Sequence, residues 1–191
     1  MTLCIAQDPA ADELLTRDPF ALLVGMTLDQ QYPMEHAFRG PLKLAERLGL
    51  ERLDPAVIAS WDPEAFADLA ATPPAIHRYG RSMAGRVQKL AETINEEYGG
   101  DASAIWTGAK TGAELYDRLH ALPGWGDMKA RIFVALLGKQ LKVRPRGWRQ
   151  AAGAYGEDRA TRSVADVTGP EALLKVRAFK QAAKKAAKDA S

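Results

Sequence analysis

One cysteine, Cys4, stands in 191 residues. That scarcity excludes a disulfide framework, a cysteine-based zinc module and a four-cysteine iron–sulfur cluster. Long apolar runs are missing as well: none approaches the ~18 residues a membrane span needs, although 47% of the chain is apolar. The acid-bearing first residues (Asp8, Asp12, Glu13) are unlike a signal peptide, so a soluble, cytoplasmic protein is expected. His36, His77 and His120 lack metal-ligand spacing and read as surface or helix-packing residues, and neither a metal nor an organic cofactor is expected. Apolar–polar alternation never persists beyond a few residues, so no strand is expected either. Acid, finally, is absent over residues 128–154.

What is present is helical patterning and an uneven charge. The length suits one domain, or one split into two lobes, with ample chain to bury a core. From Met83 the apolar residues fall at Val87, Leu90, Ala91, Ile94 and Tyr98, one face of a helix. Ser82 is its expected N-cap and Gly99-Gly100 its left-handed stop. The same logic predicts helices near 19–31 (capped by Asp18), 34–48, 63–70, 111–121, 127–141 and 170–188. Breakers separate them at Gly49, Asp54-Pro55, Asp62-Pro63, Thr72-Pro73-Pro74, Gly99-Gly100-Asp101, Pro123-Gly124 and Pro145-Arg146-Gly147. The expected fold class is all-α, built from many short helices.

The net charge of +2 conceals a polarity. Residues 1–70 carry 5 basic and 12 acidic groups, net −7, while residues 71–191 carry 21 and 12, net +9. Such asymmetry points to nucleic acid as a partner class. Residues 129–149 hold seven basic side chains (Lys129, Arg131, Lys139, Lys142, Arg144, Arg146, Arg149) and no acidic one. Clustered cations without compensating acid favour phosphate contact, because bound phosphates release counterions. Residues 171–191, with six basic and two acidic groups, read as a solvated Lys/Ala helix that frays.

The most informative stretch runs Leu119-His120-Ala121-Leu122-Pro123-Gly124-Trp125-Gly126-Asp127-Met128-Lys129-Ala130. One helix ends in Leu-Pro-Gly-x-Gly and a second starts at once. The two glycines let backbone approach a ligand closely. The new helix offers free N–H groups and the positive end of its dipole, a ready anion site. Lys129 in that first turn opposes the dipole, a placement that makes sense with a phosphate between them. Trp125 is either a plug between helices or an aromatic contact to the DNA sugar-phosphate.

This stretch resembles the helix-hairpin-helix motif, and the resemblance widens to the HhH-GPD superfamily of base-excision DNA glycosylases, endonuclease III and its relatives. Leu22-Leu23-Val24-Gly25-Met26-Thr27-Leu28-Asp29-Gln30-Gln31 is similar to the family's early Gln-bearing helix. Residues 76–100, with Tyr79-Gly80-Arg81 before an amphipathic helix and Tyr98-Gly99-Gly100 after it, resemble its middle helices. Order and spacing agree over roughly residues 18–148. The resemblance implies a two-lobed, all-α glycosylase fold without an iron–sulfur cluster. One lobe would span 19–144 and end in the hairpin; the two termini, 1–18 plus 145–191, would form the other. It implies double-stranded DNA as partner, no membrane, a monomer, and in a bacterium association with the nucleoid. Gln31, with Gln30, would fill the space left by a flipped base; amides can hydrogen-bond base edges. Gly124, Trp125, Gly126, Met128, Lys129, Arg144 and Arg146 complete the expected DNA-binding set.

Two positions depart from the family pattern. Met128 stands where members that also cut the strand carry a nucleophilic lysine; Lys129 is one residue on, ~100° around the helix. A Schiff-base lyase is therefore disfavoured, and Lys129 suits a phosphate. Arg144 stands where the family has the Asp that stabilises the cationic sugar, which an Arg cannot do. The catalytic carboxylate is thus unknown. Asp29 and Glu35 are the candidates, with Asp127 and Asp166 behind them. The expected activity is a monofunctional DNA N-glycosylase; the alternative is a non-catalytic DNA-binding or lesion-recognition protein on the same fold. A helical scaffold whose basic face meets RNA or an acidic protein is a third reading, disfavoured by the hairpin.

Overall fold

In the computed structural model, residues 2–190 are described; the outermost residues of the expected terminal lobe, 1 and 191, lie outside them. Helices form at α1 Pro9–Arg17, α2 Pro19–Leu28, α3 Met34–Leu48, α4 Pro55–Ser60, α5 Pro63–Ala71, α6 Gly80–Tyr98, α7 Ala104–Thr107, α8 Gly112–His120, α9 Asp127–Gln140, α10 Trp148–Ala152 and α11 Pro170–Asp189. Two 3-10 turns, Gly153–Gly156 and Val164–Asp166, complete the set, and no strand occurs among the described residues beyond a single bridge between Thr111 and Arg146. The fold is all-α, as the periodicity predicts.

Four helices begin at an Asp-Pro pair. The carboxylates of Asp8, Asp18, Asp54 and Asp62 accept from first-turn N–H groups, and the following Pro occupies the first helical position. There its missing N–H costs nothing. Asp54-Pro55 and Asp62-Pro63 are therefore helix starts as much as breakers. These caps account for four of the twelve acidic residues in the first third of the chain.

The chain divides into two compact units. The first comprises residues 2–108 with Ala121–Trp125, the second Ala109–His120 with residues 126–190. This boundary differs from the expected one. The N-terminal segment packs within the first unit, α1 lying on α2 and α3. Buried Asp12 accepts from the N–H groups of Ile5 (2.7 Å) and Ala6 (2.8 Å), and Arg39 on α3 donates to Ala6 and Gln7 carbonyls. Those polar bonds commit residues 2–18 to the body formed by α2–α6.

In the first unit α2 is buried from Phe20 to Leu28, so it is a central helix with no polar face. Close approach is built in at Gly25 and Gly40: a Cβ there would stand 2.6 Å from Phe38 and 2.4 Å from Leu28 respectively. Helix α6 starts at Gly80, ahead of the expected Ser82 cap, because Met83 N–H already bonds the Tyr79 carbonyl. Its stripe Met83, Val87, Leu90, Ala91, Ile94 is buried against α4 and α5. Gly99 (φ +60°) ends it, and Gly100 N–H returns to the Ile94 carbonyl.

In the second unit α8, α9 and α10 pack on one another. The Trp148 indole lies on α9 where Gly138 leaves room; a Cβ there would fall 2.3 Å from the ring. Beyond α10 the chain is fastened to α9. Lys139 Nζ meets buried Asp166 at 2.6 Å, and Gln140 Nε2 donates to Val164, Ala165 and Val167 carbonyls. Helix α11 buries only Leu173 and Val176.

Candidate nucleic-acid interface

In the first unit the Gln pair lies not on a helix end but in the loop that follows α2, which stops at Leu28 with Asp29 as its C-cap. Gln31 takes left-handed backbone (φ +52°), which an L side chain adopts at a cost of roughly 1–2 kcal/mol, and its side chain is exposed. The loop is braced from the segment before α6. His77, 1% exposed, accepts from Tyr79 N–H on Nδ1 (3.0 Å), so Nε2 carries the proton and donates to the Gln30 carbonyl (3.0 Å). Arg86 Nη1 donates to Gln30 Oε1 (2.6 Å), which occupies that amide oxygen and leaves Gln31 as the freer of the two amides. Tyr32 packs against His77 (4.5 Å between centroids), and Arg78 stacks over Tyr79, itself 51% exposed.

His77 is thus not a surface residue: it is the bracket joining two loops. Arg86 and the exposed Arg78–Tyr79 pair are members of this surface that the sequence pattern did not single out. The Tyr79-Gly80-Arg81 resemblance was the nearest signal.

The hairpin is formed by α8, the loop 121–125 and α9. Gly124 is exposed with φ +74°, a conformation only glycine adopts without strain. Gly126 is the N-cap of α9 and has no side chain to satisfy that helix's first amides. Asp127 is turned away from them. Its Oδ1 accepts from the Tyr116 phenol (2.7 Å) and Arg131 Nε (2.8 Å). The phenol first, and then Arg131, hold its carboxyl below the usual carboxylate range, and Asp127 in turn pushes the Tyr116 phenol up. Met128 is 62% exposed and Lys129 half-buried.

Trp125 resolves in favour of the plug, which corrects its place in the DNA-binding set. It is 4% exposed, and its indole Nε1 donates to Thr27 Oγ1 at 3.1 Å. Thr27 in turn donates to the Leu23 carbonyl within α2. The ring is used inside the first unit and has no face left for a sugar-phosphate.

The basic run 129–149 is acid-free in sequence but not in space. Arg131 pairs with Asp127, Lys139 with Asp166 and Arg149 with Asp158. Lys142 Nζ donates to the Lys139 carbonyl, while Arg144 Nε donates to the Gly138 carbonyl and stacks over Trp148. Arg146 is exposed, with no ion pair among the described residues. Beside it a cavity of about 520 Å³ is lined by Thr111, Tyr116, Arg131, Arg146 and Gln150.

Of the carboxylates considered for catalysis, Asp166 is consumed structurally by Lys139 and by the N–H groups of Arg162 and Ser163. Asp127 is engaged by Tyr116 and Arg131. Asp29, the C-cap of α2, is half-buried in the Gln loop, and Glu35 is 7% exposed in the first turn of α3, 4.0 Å from His36 Nε2. No family model matches the chain, and no curated protein or solved structure does so either.

Proposed function

We propose that this chain is a DNA base-excision protein of the HhH-GPD type, a monofunctional N-glycosylase acting on a damaged or mispaired base in duplex DNA. The observation that carries it is the Trp125–Thr27 hydrogen bond. It holds the hairpin loop against the end of α2 that leads directly into Gln30 and Gln31, across 98 residues of sequence. The loop 121–125 and the Gln stretch, which the family resemblance assigns to one DNA contact, thus belong to one unit.

The parts divide by chemistry. The glycine-capped start of α9 offers backbone N–H groups to a phosphate, and Arg146 with Lys142 adds cations beyond it. Exposed Gln31, carried on a braced loop, offers its amide to the base or strand left behind when a nucleotide turns out. In the hydrolysis the C1′–N bond breaks, a water oxygen bonds to C1′, and the water proton leaves with the base. A carboxylate is needed near the developing cation. Asp29 is the first candidate because it is half-exposed in the Gln loop itself, and Glu35 is the second. Met128 supplies no amine, so no covalent intermediate with the sugar is formed.

The second proposal, a lesion-binding protein without catalysis, is favoured by Arg144, whose guanidinium is fixed on the Gly138 carbonyl and Trp148 where the family places an Asp. One experiment decides. Duplexes bearing uracil, deaminated purines, alkylated bases or oxidised guanine are incubated with excess protein and assayed for abasic sites and for borohydride-trapped adducts. Release from one lesion class without an adduct is expected, and Asp29→Asn lowers that rate at least ~100-fold with duplex affinity unchanged. Tight lesion binding with no release from any duplex establishes the second proposal instead.

A further inference from the structure

Beyond Val176 the last helix buries nothing. Leu173 and Val176 hold α11 to the Val164–Asp166 turn, and every residue over 177–190 is exposed. The segment is helical because it is mostly alanine and lysine, both good helix formers, but several turns without burial are marginal on propensity alone. Its charge makes this worse. Lys180, Lys184 and Lys188 follow at i, i+4 spacing on one face, where like charges oppose the helix. With Lys185 they form no ion pair among the described residues, whereas nearer the anchored end Lys175 is paired with Glu171 at 2.7 Å. Phe179 is the one large apolar side chain past Val176, and it lies under the Arg162 guanidinium at 5.3 Å. This stretch therefore has no apolar stripe with which to enter a lipid interface or a protein groove.

A self-repelling cationic face flanked by alanines is complemented by a closely spaced row of anions approached at short range. From Lys180 to Lys188 the helix is roughly 12 Å long. Over that length duplex DNA presents about seven phosphate charges. We propose that the distal half of α11, residues 177–188, is a sequence-independent arm that lies along the phosphate backbone of duplex DNA. The arm rests on the assignment of duplex DNA as this protein's partner. It adds a contact remote in sequence from the hairpin and independent of base chemistry.

The test uses the full chain carrying K180Q, K184Q, K185Q and K188Q together. Glutamine keeps the helix propensity and relieves the like-charge repulsion, and because no buried group changes, the thermal midpoint does not fall below that of the wild type. Binding to an undamaged duplex of about 25 base pairs is titrated across salt concentration. The log–log salt slope is expected to become shallower by about 3–4, and affinity at low salt to fall roughly tenfold or more; the fourfold Lys→Arg variant keeps the wild-type slope. An unchanged slope in the glutamine variant overturns the arm. So does an unchanged slope accompanied by loss of binding to phosphatidylserine vesicles or to a poly-glutamate peptide, which assigns the lysines to another anionic partner. Single-turnover base release is measured separately, on the wild type at saturating protein. Its absence defeats the glycosylase assignment while leaving the arm's slope readable.

Discussion

Tyr116 and Asp127 illustrate how single residues at the hairpin are set by their neighbours. An acidic side chain at the start of α9 is favoured by the helix dipole, yet left free it would compete with a phosphate for the same amides. The Tyr116 phenol and Arg131 prevent this by drawing the carboxylate sideways, with Arg131 also stacked over the Tyr116 ring at 5.0 Å. Because the folded carboxyl titrates below its ordinary range, this linkage is fully present above the unfolded carboxylate value of ~3.9. It is lost only as pH falls through the depressed folded value. Tyr116→Phe removes the larger cause and keeps Arg131. The Asp127 midpoint, followed by carboxyl-carbon NMR, is expected to rise toward the ordinary range without reaching it. A midpoint identical to the wild type would show that the phenol contributes nothing.

At the scale of elements, the Asp-Pro starts differ in what they hold. Asp54 caps α4 from an exposed position, whereas Asp18 is 3% exposed and does two things. Its Oδ1 caps α2 and its Oδ2 accepts Leu53 N–H at 2.7 Å, tying the chain before α4 to the central helix. Asp54→Ala should cost about 1 kcal/mol. Asp18→Ala should cost about 2–4 kcal/mol, since it also leaves a buried N–H without its partner. Urea unfolding with an unchanged m-value measures both, and equal losses would remove the Leu53 bond from the account. Most helices of two turns or more were legible in sequence: 34–48 and the helices near 63–70, 127–141 and 170–188 fall close to where periodicity predicts, whereas the nine-residue α1 was not predicted. Helices α4, α7 and α10 span four to six residues, too few turns for a 3.6-residue period to declare itself. The early end of α2 and the bracket from His77 were not legible, because both depend on the loop before α6, which is brought to the Gln pair only by folding.

Across the whole molecule, charge read along the chain and charge read in space give different maps. Five of the twelve acidic groups in residues 1–70 are local and structural, four spent on helix starts and one, Asp12, on bonds to Ile5 and Ala6. The positive run 129–149 is in turn partly neutralised by Asp127, Asp158 and Asp166, two of which lie well outside it. The Asp127–Arg131 pair is at i,i+4 spacing, but no linear pattern could show the other two, which depend on the turns after α10. What survives as a phosphate surface near the hairpin is narrower than seven cations, and Arg146 and Lys142 are its clearest members. Both are exposed and neither meets a carboxylate in an ion pair among the described residues, so Arg146→Gln with Lys142→Gln should change stability by no more than about 0.5 kcal/mol. If these residues contact phosphates, the pair of substitutions weakens binding to undamaged and lesion-bearing duplexes alike and makes the salt slope shallower by about 2. Arg149→Gln, which breaks a pair with Asp158, is the control and should leave the slope nearly unchanged. A loss confined to one lesion would instead place Arg146 or Lys142 at the base, and an unchanged slope would remove this surface from the DNA contact.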